Sequence, residues 1–295
     1  MAKALIIGGA ANYGWNELKN WVRSIKATGY DGDIALVITN VTKETLDKLT
    51  EEGVTTFAYG KQNADGGYEA VSTGAPHVER FFYIWNSIRN LVGYDYLVVT
   101  DTRDVIFQKN PIDYLKHDDA DLFCSSEGLL YKDEPWGSNN FKETFGPFFH
   151  DIYKERMIYN VGTIAGSFST VRDMMLMIFQ MSVNRPIPIV DQAVFNFLIW
   201  NDPLIYHTAK LSNDQAWAIQ LGTTIHAVQS GAGDLGAMVG RDPTQLIKYQ
   251  MLYKDEQPII DDEGYLTTQD GTKFVIVHQY DRVAGLKDKI DGRYA

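Results

Sequence analysis

The run Tyr94-Asp95-Tyr96-Leu97-Val98-Val99-Thr100-Asp101-Thr102-Arg103-Asp104-Val105-Ile106-Phe107 reads as a buried strand that stops at two carboxylates three positions apart. A second apolar run follows at once, so the acids belong to a strand end and not to a solvated charge cluster. Open α/β sheets place ligands at the carboxyl ends of their parallel strands. Two carboxylates offer oxygen ligands alone, which suits Mg²⁺ or Mn²⁺, and such an ion suits a diphosphate. The purely structural alternative makes Asp101 a turn cap with Arg103 as its ion-pair partner.

The pattern on either side supports a layered α/β fold. Ala4–Ile7 is an apolar strand closed by Gly8-Gly9, and Trp15–Ala27 carries Leu18, Trp21, Val22 and Ile25 at helical spacing. Ile34–Ile38 and Val54–Ala58 read as strands flanking a polar helix over Lys43–Glu51, and a Gly-rich loop spans Gly60–Gly74. Pro76 opens a helix to about Leu91 with Val78, Phe81, Phe82, Trp85, Ile88 and Leu91 inward, ahead of strand Tyr96–Thr100. This alternation predicts a doubly wound, mostly parallel sheet of the Rossmann-like kind.

Beyond Asp104 the pattern loosens. Val105–Phe107 and Asp121–Ser125 are expected as short strands, Leu129–Asn140 as a loop, and Ile158–Gly162 as a strand. Ser169 is expected to cap a Met-rich helix to about Asn184, and Asp191 to begin another ending near Asn201. Turns at Gly264–Leu266 and Asp270–Thr272 suggest a hairpin leading into strand Phe274–Val277. The expected organisation is a core over residues 1–221 and a less regular extension, 222–295, folding back to complete the site.

Composition narrows the partners. A formal charge of −11 over 295 residues disfavours nucleic acid, which needs a basic footprint. Cys124 is the single cysteine, so intrachain disulfides and thiolate metal sites are excluded, and its strand setting predicts a buried, inert thiol. No apolar stretch reaches membrane-spanning length, and no signal-peptide pattern precedes the first strand, so the expected setting is cytoplasmic. The oligomeric state is not legible.

One further ligand is offered by Val275-Ile276-Val277-His278, an imidazole at the end of another buried strand. At this point the residues resemble a known pattern. Asp104-Val105-Ile106-Phe107-Gln108-Lys109-Asn110-Pro111 resembles the segment after the second acid of the metal-binding DxD motif in GT-A-fold glycosyltransferases. The departure is one extra residue between the acids, Asp-Thr-Arg-Asp, which makes Asp104 the firmer metal ligand and leaves Asp101 to hold metal or ribose. The segment His278 to Lys287 is similar to the late His…Gly…Lys element of glycogenin- and galactosyltransferase-like enzymes. Tyr159-Asn160-Val161-Gly162 resembles their "N-x-G" segment, and Asp191-Gln192 their Asp-Gln at a helix start, although Asp191 alone also reads as an N-cap. The resemblance covers residues 1–221 and 274–287.

The resemblance implies a metal-dependent transfer of a sugar from a nucleotide diphosphate, with UDP expected, to a hydroxyl acceptor such as a glycan. It implies Asp101, Asp104 and His278 as ligands of Mn²⁺ or Mg²⁺, and Asp191, Gln192 and Asn160 as catalytic candidates. It implies Gly8, Gly9, His77, Arg80, Asp101, Arg103, Gly162, Arg282 and Lys287 as substrate- and nucleotide-binding candidates. Retention at the anomeric carbon is favoured over inversion, which would ask Asp191 to act as general base. A sugar-nucleotide pyrophosphorylase shares the fold and metal chemistry, but Gly8–Gly14 lacks the basic residues that hold a triphosphate. A NAD-dependent oxidoreductase would fit the string Gly9-Ala10-Ala11-Asn12-Tyr13-Gly14, yet the second strand ends in Ile38-Thr39-Asn40 without a ribose-binding acid.

Overall fold

The computed structural model describes residues 2–72, 74–225 and 257–295. Residues 226–256, within the expected extension, lie outside the described residues. The chain opens with β1 (Ala4–Ala11), α1 (Trp15–Ala27), β2 (Asp33–Thr39), α2 (Lys43–Glu51) and β3 (Thr55–Ala58). Local signals account for these bounds: Thr42 Oγ1 accepts from Thr45 N–H and caps α2. A small hairpin, β4 (Lys61–Gln62) with β5 (Tyr68–Glu69), forms within the Gly-rich loop. Then come α3 (Pro76–Ile88), with Pro at its first turn, β6 (Tyr96–Thr100) and β7 (Val105–Phe107).

The middle of the chain departs from expectation. After α4 (Pro111–Leu115), β8 runs from Leu122 to Leu130, five residues past the predicted end. The predicted loop over Leu129–Asn140 instead contains the start of α5 (Pro135–Phe145), followed by α6 (Pro147–Tyr153). Pro135 sits at N1 and the Glu134 carboxylate accepts from the N–H groups of Trp136 and Gly137, so residues that look like breakers are a helix start. The predicted strand Ile158–Gly162 is divided between β9 (Met157–Tyr159) and β10 (Thr163–Ser167), with Asn160–Gly162 outside both. The Met-rich helix α7 (Phe168–Ser182) begins after Ser167, not Ser169, and α8 (Asp191–Ile199) has Val190 as its cap and Asp191 as its first residue.

The remaining elements are β11 (Thr208–Leu211), β12 (Ala218–Gln220), β13 (Ile259–Ile260), β14 (Leu266–Thr267), β15 (Ile276–His278) and α9 (Leu286–Arg293). The main sheet has the order β11-β8-β10-β6-β1-β2-β3, with β9 added to β8. It is mainly parallel; β10 runs against both its neighbours. Alternate residues face opposite layers, as the two-residue strand period demands. Leu5 and Ile7 pack with α3 and α7 residues such as Phe81, Ile84 and Met175. Ile6, Leu36 and Val98 pack with Leu18, Trp21 and Ile25 of α1. The Met stripe is core, as Met174 and Met175 are buried, and burial pushes the Cys124 thiol well above its ordinary pKa.

A smaller sheet, β12-β15-β7, completes the molecule. Through it the last part of the chain reaches the end of β6, because β7 follows Asp104 directly. Ile106, Ile219, Val277, Tyr280 and Leu286 form its buried cluster. One expected feature fails: β1 does not close at Gly8-Gly9 but continues to Ala11, paired residue by residue with β2. Gly8 is small because β6 lies against it; a Cβ there would strike Thr102 Cγ2 and come within 2.9 Å of Thr100 O. Among the described residues, no helix is long and apolar enough to cross a membrane.

Candidate active site

Strand register assembles the site. β10 and β6 pair with Thr163 opposite Thr100, so Asp101 and Gly162 are next outward, and Asp101 N–H donates to Gly162 O at 2.9 Å. β15 and β7 pair with His278 opposite Val105, and Gln279 N–H donates to Asp104 O at 2.7 Å. β12 flanks β15 with Gln220 opposite His278. The turn between the two acids is tied down from α1. Trp21 Nε1 donates to Thr100 Oγ1 (2.8 Å), and Tyr280 OH, which accepts from Asn20, donates to Arg103 O (3.1 Å).

These pairings bring Asp101, Asp104 and His278 together. His278 Nε2 lies 3.4 Å from Asp101 Oδ2 and 3.6 Å from Asp104 Oδ1, and the three ligand atoms fall within 4.8 Å of one another. The donor set fits a divalent ion. Gln220 Oε1 accepts a hydrogen bond from His278 Nδ1–H at 2.7 Å, while Gln220 Nε2 donates to Ser125 Oγ at 2.7 Å. That leaves the Nε2 lone pair aimed at two carboxylates, an arrangement that needs a proton or a cation between them. Burial lowers the His278 pKa, but Asp104 and Asp101 outweigh it and hold it above its ordinary value. In Asp101 burial raises the pKa, and Arg80 and His278 more than offset it, keeping the carboxyl ionised far below the usual range.

Gln220 is therefore the residue that fixes the imidazole. Gln220→Leu is expected to weaken Mn²⁺ binding by about 10- to 100-fold, as lost outer partners of metal-binding histidines do. Titration calorimetry reads this directly, and an unchanged affinity would remove Gln220 from the site's working parts.

Gly162 packs against all of this. A Cβ there would lie 2.7 Å from His278 Cε1, 2.8 Å from Asp101 Oδ2 and 2.9 Å from Asn160 Oδ1. Asn160 is buried; its Oδ1 accepts from Gly162 N–H (2.7 Å) and its Nδ2 donates to Glu127 Oε1 (2.8 Å). The preceding residue is pinned by Asn196, whose amide exchanges two hydrogen bonds with the Tyr159 backbone (2.8 and 2.7 Å). Glu127, buried on β8, also hydrogen-bonds Gln192; burial raises its pKa against those two partners.

Arg80 on α3 reaches across from the other wall. It bonds Asp101 Oδ1 through Nη1 and Asp191 Oδ2 through Nη2 at 3.1 Å. Burial raises the Asp191 pKa, with Arg80 opposing. Asp191 is thus a first-turn acid facing a guanidinium, and not the cap of α8. Arg103 is half exposed and pairs with Asp281 at 3.2 Å and Asp104 at 3.6 Å.

Gly9, Tyr13, His77, Arg80, Asn160, Gly162, Asp191, Gln192 and Arg282 line one cleft with Asp101, Asp104 and His278. A second cavity of about 410 Å³ adjoins it through Gly9, Tyr13, His77 and Arg80 and extends past Asn12, Thr39, Tyr59 and Tyr83. Two candidates lie elsewhere. Gly8 lines neither space, being covered by Thr102, and Lys287 stands on α9 with its ammonium on Asp291. Sequence reasoning missed Glu127, Gln220, Gln279 and Trp136. Gln220 lies on a three-residue strand with no local signature, and Glu127 reads as an ordinary polar strand residue. Trp136 falls in a segment that reads as a loop, so nothing local marked it.

Glu134, which caps α5, behaves as a buried acid. Burial and the nearby Glu127 push its pKa up from 4.5 to about 7. The folded chain thus keeps a proton that the unfolded chain has lost. Its contribution to stability is full below about 4.5 and declines as pH rises through about 7, by roughly 3 kcal/mol in all. Denaturant titrations at pH 5 and pH 8 should show this slope in the wild type and a flatter one in Glu134→Gln. Equal slopes would show that Glu134 is ionised throughout.

No family model and no curated protein matches the sequence. Solved structures match its fold. The apo structure of the bifunctional glycosyltransferase WbbM aligns with TM-score 0.56 and 12% identity, covering 100% of this chain and 50% of that one, so this chain spans half its length. The galactosyltransferase LgtC, in complex with donor and acceptor sugar analogues, aligns with TM-score 0.54 and 10% identity over 98% of this chain and 95% of that one. The chain has the GT-A-like glycosyltransferase fold.

Proposed function

We propose that this chain is a metal-dependent glycosyltransferase that moves a sugar from a nucleotide diphosphate to a hydroxyl acceptor. The observation that carries the reading is the convergence of Asp101, Asp104 and His278 Nε2 at the strand ends of this fold. Asp101, Asp104 and His278 would hold Mn²⁺ or Mg²⁺, which offsets charge on the departing diphosphate. The cavity past Asn12 and Tyr59 has the volume of a small-molecule site and suits the nucleoside, with UDP as the donor nucleotide. Arg80 and Arg282 place guanidinium groups in the cleft, with His77 lining it beside them. Asn160 and Gln192, both steadied by Glu127, orient the sugar and the acceptor hydroxyl.

Residues 1–221 form the nucleotide-sugar core in this reading, and the extension 222–295 supplies His278 and Arg282. We favour retention of configuration, since Asp191 is buried and holds Arg80 with Oδ2. Anomeric analysis of the product by NMR decides this; an inverted product would return Asp191 to the role of general base.

The decisive experiment is a thermal-shift panel of UDP, GDP, dTDP, CDP and NAD, each with and without Mn²⁺. A ligand at about 100 times its dissociation constant stabilises the fold by about 2.7 kcal/mol. The expected outcome is a shift with one diphosphate that requires Mn²⁺. Stabilisation by NAD alone, or by nucleotides regardless of metal, would overturn the reading.

A further inference from the structure

We propose that Trp136 is the acceptor shelf of the cleft, and that the acceptor is a pyranoside whose apolar face stacks on the indole. This rests on the transferase reading above. Trp136 lines the same cleft as Asp101, Asp104, Asn160 and His278. The residues lining the cleft include two unlike sets. One is shared with the nucleoside-sized cavity through Gly9, Tyr13, His77 and Arg80, whereas Trp136 and Ile189 line the cleft alone. A donor held by the shared residues therefore leaves Trp136 and Ile189 for the second substrate.

The surface on offer there is apolar. Trp136 is 38% exposed and Ile189 42%, in a cleft otherwise made mostly of charged and amide side chains. A diphosphate and its metal have no use for apolar surface, but a pyranose ring presents a face of C–H groups with hydroxyls at its rim. The flat indole takes the face, and the amides of Asn160 and Gln192 line the same cleft for the hydroxyls. The shelf is also fixed in advance. Trp136 N–H donates to Glu134 Oε1 at 3.0 Å and Gly137 N–H to Oε2, so the first turn of α5 is clamped before any ligand arrives.

The test uses saturation-transfer NMR on the full chain with UDP and Mn²⁺ present. The probes are methyl glycosides of galactopyranose, glucopyranose and N-acetylglucosamine, with glycerol and the peptide Gly-Ser-Gly as non-sugar alcohols. At least one methyl pyranoside should bind saturably, with transfer strongest on the C–H groups of one ring face. Trp136→Ala should weaken it by about tenfold or more, and Trp136→Phe, which keeps an aromatic face, by no more than about threefold. The Mn²⁺-dependent thermal shift with UDP should be the same in all three proteins. The proposal is overturned if no pyranoside binds the wild type, if a non-sugar alcohol binds in its place, or if Trp136→Ala keeps full affinity. Failure of UDP and Mn²⁺ to bind any of the three would instead sink the transferase reading, and this inference with it.

Discussion

Asp104→Ala will lower sugar transfer by about a thousandfold or more, the scale expected when a catalytic cation worth several kcal/mol is lost. Asp104 is 7% exposed and its Oδ1 faces His278 Nε2 at 3.6 Å. Its backbone carbonyl, which receives Gln279 N–H, is untouched by the substitution, so β7 and β15 stay in register. What disappears is one of two negative charges that make the site attractive to a divalent ion. Mn²⁺ affinity should fall by at least about 100-fold, more than for loss of an outer partner. The metal-free variant should stay folded, because the lost contacts to Arg103 and His278 are set against relief of repulsion from Asp101. Calorimetry for the metal and a coupled assay for released nucleotide measure the two effects. Full activity with unchanged Mn²⁺ binding would end the metal assignment.

Gly162→Ala is the second large effect, and a sharper probe of geometry because it removes no functional group. One added methyl must share space with His278 Cε1, Asp101 Oδ2 and Asn160 Oδ1, all within 2.9 Å of its position. None of the three has room to yield. His278 is held by Gln220, Asp101 by Arg80, and Asn160 by Glu127. Overpacking of this kind costs about 1–3 kcal/mol. The damage to function should be larger, since a shift of about 1 Å in a positioned group costs about 100-fold in rate. The expected result is a folded protein with transfer reduced about 100-fold and Mn²⁺ binding weakened at least about tenfold. A variant with wild-type kinetics would mean that the three side chains are looser than their hydrogen bonds indicate.

Legibility in the sequence followed the range of the interactions involved. Trp15–Ala27, Lys43–Glu51, Tyr96–Thr100 and Val105–Phe107 match the elements read from periodicity and caps, because those signals act within one or two turns or along a single strand. Asn160–Gly162 did not follow its apolar pattern. The chain leaves the sheet where Asn160 turns its side chain on to Gly162 N–H and Glu127, and Glu127 is 33 residues away. The α5 start was obscured by composition: Pro135, Trp136 and Gly137 look like a loop until the Glu134 carboxylate is seen to satisfy the free N–H groups of the first turn.

The sequence by itself determined the layered α/β architecture and the presence of two carboxylates at the end of a buried strand, with an imidazole at the end of another. Local periodicity and strand length are properties of neighbouring residues, so no partner is needed to read them. Only the tertiary structure decided that His278 stands beside Asp104. It also decided that Gln220 fixes the imidazole, and that Arg80 joins Asp101 to Asp191. The His278–Asp104, Gln220–His278 and Arg80–Asp191 contacts each depend on strand register or on packing between residues over 50 positions apart. A one-residue slip of β15 against β7 would turn His278 to the other face of its sheet.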